Sequence, residues 1–144
     1  MRIIFFLDME KEILFRFIGM EILQFATFEE NYSENDADVE ISNNFQFLYN
    51  YEDNTVKCVV TTVFVQELGV LLKSELAAYF YIEKESADQL IKSNSFTAPT
   101  ELLTQFASLT YGSQRGVIFT KTIGSPLNQI ILPPNDIRAI FQEK

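Results

Sequence analysis

The 144-residue sequence predicts an α+β domain: a four-stranded antiparallel sheet with one long helix and a short C-terminal helix packed on one face. Three observations lead there. Phe45, Phe47, Tyr49 and Tyr51 alternate with Gln46, Asn50 and Glu52, the period of a half-buried strand. A second run rich in Val, Thr and Phe, residues 55–65, follows the turn-forming Glu52-Asp53-Asn54, so the two read as a hairpin. After Pro99 the apolar spacing lengthens from two to three and four, which is helical.

The first strand is read at residues 13–30, ILFRFIGMEILQFATFEE, dense in β-branched and aromatic residues. Gly19 interrupts it and marks a bend or bulge. A helix over residues 9–24 is the competing reading. The stretch ENYSENDADVE is polar and acidic. Asp36 and Asp38 hint at calcium, but the glycine and closing glutamate of an EF-hand loop are missing, and a solvated loop fits better.

Gly69 turns the chain into the fourth strand. One face carries Leu72, Ser74, Leu76, Ala78, Phe80 and Ile82; the other carries Lys73, Glu75, Ala77, Tyr79, Tyr81 and Glu83. EKESADQLIKSNSF follows as a short helix or turn. Pro99 and Glu101 then signal entry into the long helix. Leu102, Phe106 and Leu109, with Leu103, Ala107 and Thr110, form its apolar stripe. Ser108, Gly112 and Gly116 recur every four residues as a smooth face. Each glycine costs a helix interior about 1 kcal/mol, so close approach of another element is expected there. That element is either a neighbouring subunit or part of the same chain.

The helix ends at Gly124-Ser125-Pro126. SPLNQIILPPNDI then forms an extended arm, because Pro126, Pro133 and Pro134 fix their own φ and push the preceding residue out of the α region. Asp136 is placed to cap the final short helix, IRAIFQEK.

Composition narrows the function. The chain has no His, one Cys at Cys58, and a formal charge of −9. Lack of His removes the commonest general base and imidazole metal ligands, and a lone Cys excludes an internal disulfide. No phosphate loop, nucleophile elbow or metal-spaced cluster is present, so no enzyme and no cofactor are expected. Nucleic acid and anionic membrane are disfavoured, since both call for clustered Lys and Arg. The N-terminal run of residues 3–7 is interrupted by charge too early for a signal core, and no run spans a bilayer. A cytoplasmic protein is expected, with Met9 and Met20 available as alternative starts. Arg115 is read as packing its stem and pairing with a carboxylate, with anion binding as the alternative.

What remains is binding. With 14 Phe and 6 Tyr the chain can line apolar surfaces as well as a core. The arm offers Leu127, Ile130, Ile131 and Leu132, and the aromatic strand face could form a facing wall. Either the arm borders a groove for extended polypeptide, or it merely closes the core.

In its second half the chain resembles the SecB-type protein-export chaperones and their wider SecB-like superfamily. The resemblance rests on Arg115-Gly116, Pro126-Leu127-Asn128, the run Ile130-Ile131-Leu132, Pro133-Pro134-Asn135, and residues 137–141. Nine residues separate Gly116 from Pro126, and Asp136-Ile137 stands where an aromatic usually follows the asparagine; both mark a divergent member. The resemblance implies one SecB-like domain over residues 1–144, with residues 1–12 peripheral. It implies ATP-independent, cofactor-free binding of unfolded polypeptide by a homo-oligomer, tetramer or dimer, with the translocation ATPase as a possible further partner met by the acidic residues 29–40. A dedicated protein partner is the alternative, and a small-molecule-binding domain the third. Peptide-binding candidates are Phe45, Phe47, Tyr49, Phe119, Ile130, Leu132 and Pro133. Ser108, Gly112 and Gly116 are the oligomer-interface candidates.

Overall fold

A computed structural model describes residues 2–7, 11–35, 38–134 and 137. The four expected strands are present as β2 (Lys11–Thr27), β3 (Glu40–Asn50), β4 (Thr55–Gln66) and β5 (Gly69–Ile82). A fifth, β1 (Arg2–Leu7), adds to the edge, giving the antiparallel order β1-β2-β5-β4-β3. β1 pairs only with residues 11–16 of β2, from Arg2 opposite Arg16 to Leu7 opposite Lys11. Nothing in the local pattern distinguishes this apolar run from a flexible leader; its place comes from pairing alone.

β2 is a strand and not a helix, consistent with its β-branched and aromatic content. Its register against β5 shifts between Phe17 and Gly19, and again between Ile22 and Gln24. The first irregularity falls at the expected glycine; the second, at Leu23, has no sequence marker. Each inserts a residue and bends the strand.

Between sheet and long helix, Lys84–Leu90 forms α1, tied to β2 by the Leu14 amide donating to Ser86 Oγ at 2.9 Å. A small hairpin, β6 (Ile91–Lys92) and β7 (Ser95–Phe96), follows. Its turn residues Ser93 and Asn94 have φ of 53° and 64°. Two successive left-handed residues give the turn whose twist suits a tight hairpin.

α2 (Thr100–Lys121) lies across β4 and β5. It buries Leu102, Phe106, Ala107, Thr110, Tyr111, Gln114 and Ile118 against the strand face that carries Leu72 through Ile82. Two apolar clusters result. One gathers Phe15, Phe80 and Phe106 around the start of the helix, with Phe15 and Phe106 edge-on at 4.9 Å. The other gathers Phe64, Leu72, Tyr111 and Ile118 with Leu127 and Leu132 of the arm. Next to the second runs a buried polar row. Asn43, Thr62 and Ser74 are cross-strand neighbours, and Gln114 reaches down from α2 to join them. Ser74 Oγ donates to Gln114 Oε1 at 3.0 Å, Gln114 Nε2 donates to the Ser74 carbonyl at 2.9 Å and to Thr62 Oγ1 at 3.2 Å, and Thr62 donates to Asn43 Oδ1 at 2.6 Å. Buried polar groups cost little only when so satisfied, and the row therefore pins the rotation of α2 on the sheet.

Gly124, at φ 89°, takes the left-handed conformation that turns the chain back after α2. The arm is not extended from its start, as the sequence reading had it. Ser125 Oγ accepts from the Leu127 amide, and Pro126–Gln129 forms one 3-10 turn before the backbone turns extended at Ile130. Proline at the first position of that turn suits a helical φ as well as an extended one, which is why the sequence reading missed it. The expected C-terminal helix at residues 137–141 and its Asp136 cap lie outside the described residues, apart from the buried Ile137.

Candidate functional site

The arm is fastened to α2 at several points. Arg115 Nε donates to the Leu132 carbonyl at 3.0 Å, and Tyr111, one turn earlier, donates its hydroxyl to the Pro133 carbonyl. Asn128 Nδ2 donates to the Phe119 carbonyl at 2.9 Å and to Thr122 Oγ1 at 3.1 Å, satisfying the open end of the helix. Leu127, Leu132 and Ile137 point into the second cluster and are buried. Among the described residues Arg115 has a backbone carbonyl as its hydrogen-bond partner, where the sequence anticipates a carboxylate. Burial raises the Tyr111 hydroxyl pKa, and the nearby Arg115 charge and a hydrogen bond with Asn43 only partly offset that.

The arm therefore does both things the sequence left open. Its inward residues close the core, and its outward ones border a groove. Between arm and helix lies a concavity of about 350 Å³, lined by Gly112, Arg115, Gly116, Phe119, Ile130, Ile131 and Leu132. Phe119 is 54% exposed and Ile131 69% exposed, so its rim is apolar and open to solvent. Ser108, Gly112 and Gly116 all face outward, and a Cβ added at either glycine would meet nothing within 4 Å. The close approach that their spacing anticipates is not made within the described chain. Two of the three sit in the groove itself.

A second concavity of about 360 Å³ lies between the end of β3, the small hairpin and the start of α2. Phe47, Tyr49, Tyr51, Phe96 and Leu103 are among its walls. Tyr49 stacks on Phe96 at 3.9 Å and 12°, and Tyr51 meets Tyr49 edge-on at 4.7 Å. The Phe96 amide donates to the Tyr51 oxygen at 2.9 Å, and Tyr49 donates to Asn54 Oδ1 at 2.7 Å. Burial is the main cause of the raised Tyr49 pKa, with the charges of Tyr51, Asp88 and Asp53 adding to it. Aromatic edges and faces held in this way offer a preformed apolar recess.

The peptide-binding candidates accordingly separate. Phe47 and Tyr49 line the β3 recess; Phe119, Ile130 and Leu132 line the arm groove. Phe45 lies between them, packed against both core clusters and 6.4 Å from the Tyr111 ring. Pro133 is exposed and contributes its carbonyl to Tyr111. Sequence reasoning missed Phe96 and Leu103 as lining residues, and it named Ile131 among the arm's apolar contacts without placing it with the peptide-binding candidates. For Phe96 a signal existed: Ile91 and Phe96 flank Ser93-Asn94, a polar pair suited to a tight turn.

No family model matches the chain, and no curated protein matches it. The solved structures include a match, the Mycobacterium tuberculosis Rv1957 SecB-like chaperone in complex with a ChAD peptide from the Rv1956 HigA1 antitoxin. The TM-score is 0.57 at 12% identity, covering 85% of this chain and 88% of that one. The fold is SecB-like. The likeness carries the architecture: four contiguous antiparallel strands, a long helix across one face, and a short helix. At this identity, side-chain roles do not transfer with it. No helix among the described residues is long and apolar enough to cross a membrane.

Proposed function

We propose that this SecB-like protein is an ATP-independent, chaperone-like binder of extended polypeptide, acting on a dedicated protein partner. The observation that carries this reading is the groove between α2 and the arm, where Phe119 and Ile131 are held exposed beside Ile130 and the bare helix face at Gly112 and Gly116. Exposed apolar side chains on a rigid frame are the usual mark of a docking surface. The arm supplies extended backbone beside them, which suits a segment recognised through main chain and a few apolar anchors.

The β3 recess, with Phe47, Tyr49 and Phe96, is the proposed second anchor, and Phe45 its support from below. Both concavities are small, which favours a short cognate segment over broad capture of unfolded chains. The solved neighbour, a chaperone holding a peptide from an antitoxin, supports the same choice. General holdase activity linked to export and to the translocation ATPase is the wider form of this reading, and the acidic residues 29–40 are its candidate docking surface. Ser108, Gly112 and Gly116 are proposed as a face that a second copy approaches in a homo-oligomer, as the alternative to a polypeptide at the two glycines, since the groove lining cannot hold both at once.

Affinity capture from the native host, followed by light scattering with an unrelated slowly folding client, tests the reading. One stable partner retained by the wild type and lost in Phe119→Asp is expected, with weak suppression of the unrelated client. Neither a retained partner nor any suppression at equimolar protein would sink it.

A further inference from the structure

The recess at the end of β3 has aromatic walls and an acidic rim. Tyr49 and Tyr51 stand edge to face, 4.7 Å apart at 84°, and Phe96 lies flat on Tyr49. Hydrogen bonds fix the rings, from the Phe96 amide to the Tyr51 oxygen and from the Tyr49 hydroxyl to Asn54 Oδ1. Tyr51 is 54% exposed, so the corner between the two tyrosines is open to solvent. Aromatic rings set at an angle attract a cation through their quadrupoles.

Carboxylates stand around this corner. Asp53 lies in the same turn as Tyr51, where its Oδ1 accepts from the Thr55 amide at 3.2 Å. Asp88 sits on α1 next to Ala87, which belongs to the apolar cluster that also packs Tyr49 and Phe96. Both acids are exposed. After burial, the charges of Tyr51, Asp88 and Asp53 raise the Tyr49 hydroxyl pKa, so both carboxylates act on the recess. Residues 17–56 contain no Lys or Arg. The cations that flank the recess in sequence point elsewhere. Lys57 lies over the Tyr79 ring, and Lys84 lines a separate concavity with Arg16 and Tyr81. Lys92 pairs with Ser95, on the opposite side of the small hairpin from Phe96.

We propose that this recess is an arginine subsite, in which the guanidinium of a partner's arginine enters the corner between Tyr49 and Tyr51 and pairs with Asp53 and Asp88 at its rim. The proposal deepens the reading of the recess as the second polypeptide anchor and rests on it. A planar guanidinium stacks on an aromatic ring while its N–H groups reach carboxylates, and it is more weakly hydrated than an ammonium. The volume of about 360 Å³ is ample for one arginine side chain with Phe96 in place. An aromatic or aliphatic side chain fills the same space but gains nothing from the two carboxylates. The charge of −9 favours approach of a basic segment over an acidic one.

Butylguanidinium, butylurea and benzyl alcohol probe the recess in the intact protein by nuclear magnetic resonance, read at the amides of residues 49, 51 and 96. The first two share a shape and differ in charge. Butylguanidinium is expected to bind at least tenfold more tightly than either neutral probe, and to weaken as salt is raised. A neutral probe that binds as well as butylguanidinium, or no shift at these amides, overturns the proposal. Asp53→Asn combined with Asp88→Asn keeps the Oδ1 acceptor for Thr55 and alters only exposed positions. It is expected to cut butylguanidinium affinity at least fivefold and leave benzyl alcohol unchanged; undiminished affinity overturns the pairing. Selective guanidinium binding without a retained partner counts against the partner reading alone. A partner that is retained by the wild type and lost in Phe119→Asp, with no guanidinium preference, counts against the subsite alone.

Discussion

Arg115 Nε donates to the Leu132 carbonyl at 3.0 Å, joining the middle of α2 to an arm that lies beyond the helix end. Leu132 is buried under the same contact, and Ile131, its neighbour, points to solvent. With the Tyr111 hydrogen bond to the Pro133 carbonyl, this contact holds the arm with Leu132 turned inward and Ile131 outward.

Arg115→Ala removes that hydrogen bond and the packing of the arginine stem. The expected loss is roughly 1.5–3 kcal/mol in urea unfolding, the usual range for a hydrogen bond from a charged donor. Amide exchange at residues 130–132 should accelerate more than exchange in the central strands. Arg115→Lys should recover little, because lysine has no Nε–H partway along its side chain to reach the Leu132 carbonyl. Uniform acceleration over the whole sheet would count against a local clip.

Gln114→Leu leaves the Ser74 hydroxyl and carbonyl without their partner beneath the helix, while Thr62 keeps only its hydrogen bond to Asn43. A loss of roughly 1–3 kcal/mol is expected, the cost of stranding buried polar groups. Replacing the row together, as Gln114→Leu with Thr62→Val, Ser74→Ala and Asn43→Leu, should recover most of it, since apolar groups of similar shape need no partners. A simple sum of the single losses would contradict the network.

Phe119→Asp and Ile131→Asp alter side chains that are already exposed. Stability should change by no more than about 0.5 kcal/mol, the range for surface substitutions. Partner binding should fall at least tenfold, about 1.4 kcal/mol. Leu132→Ala offers the contrast: it lies inward and should cost roughly 2–5 kcal/mol of stability. A binding loss that tracks stability across the three variants would overturn the division of the arm into two faces.

Burial pushes the Cys58 thiol up to about 11 from 9.0, against a smaller lowering by its hydrogen bond with Thr110. An acid whose folded pKa is raised holds its proton in the native state while the unfolded chain releases it. Stability is therefore full below about pH 9 and declines as pH rises toward 11, by an amount on the order of 2 kcal/mol. Cys58→Ala should flatten that part of the stability–pH curve. Native Cys58 should also react with a thiol reagent at pH 8 only as fast as the protein opens, because the thiolate is the reactive form. Rapid labelling of the native protein, at a rate insensitive to denaturant, would contradict this.

Much of the architecture is written in local patterns. Alternation at residues 45–49 and 72–82 reports both strand and buried face, since side chains on a strand point to opposite sides in turn. Tyr51, read as the next member of the first series, lies past the strand in the turn and is exposed. The helix stripe is equally direct, as Leu102, Phe106, Ala107 and Thr110 are all buried. The site is less so. Phe45 and Phe119 are both phenylalanines in periodic segments, yet one packs against the core and the other is 54% exposed. Composition and period do not separate them; the path of the arm does.

By itself the sequence determined strands, helix, turns and the presence of a proline-bracketed arm, because each depends on the conformational preferences of residues near one another in the chain. Tertiary structure decided three things that depend on residues far apart. It set the arm's inward and outward sides through Arg115 and Tyr111, placed Phe96 against Tyr49 across a hairpin, and, among the described residues, left the outer edge of β2 without a strand partner from residue 17 to 27 by pairing β1 only with residues 11–16. Which surface stays exposed is a matter of what fails to cover it, and that is fixed only once the distant segments have packed.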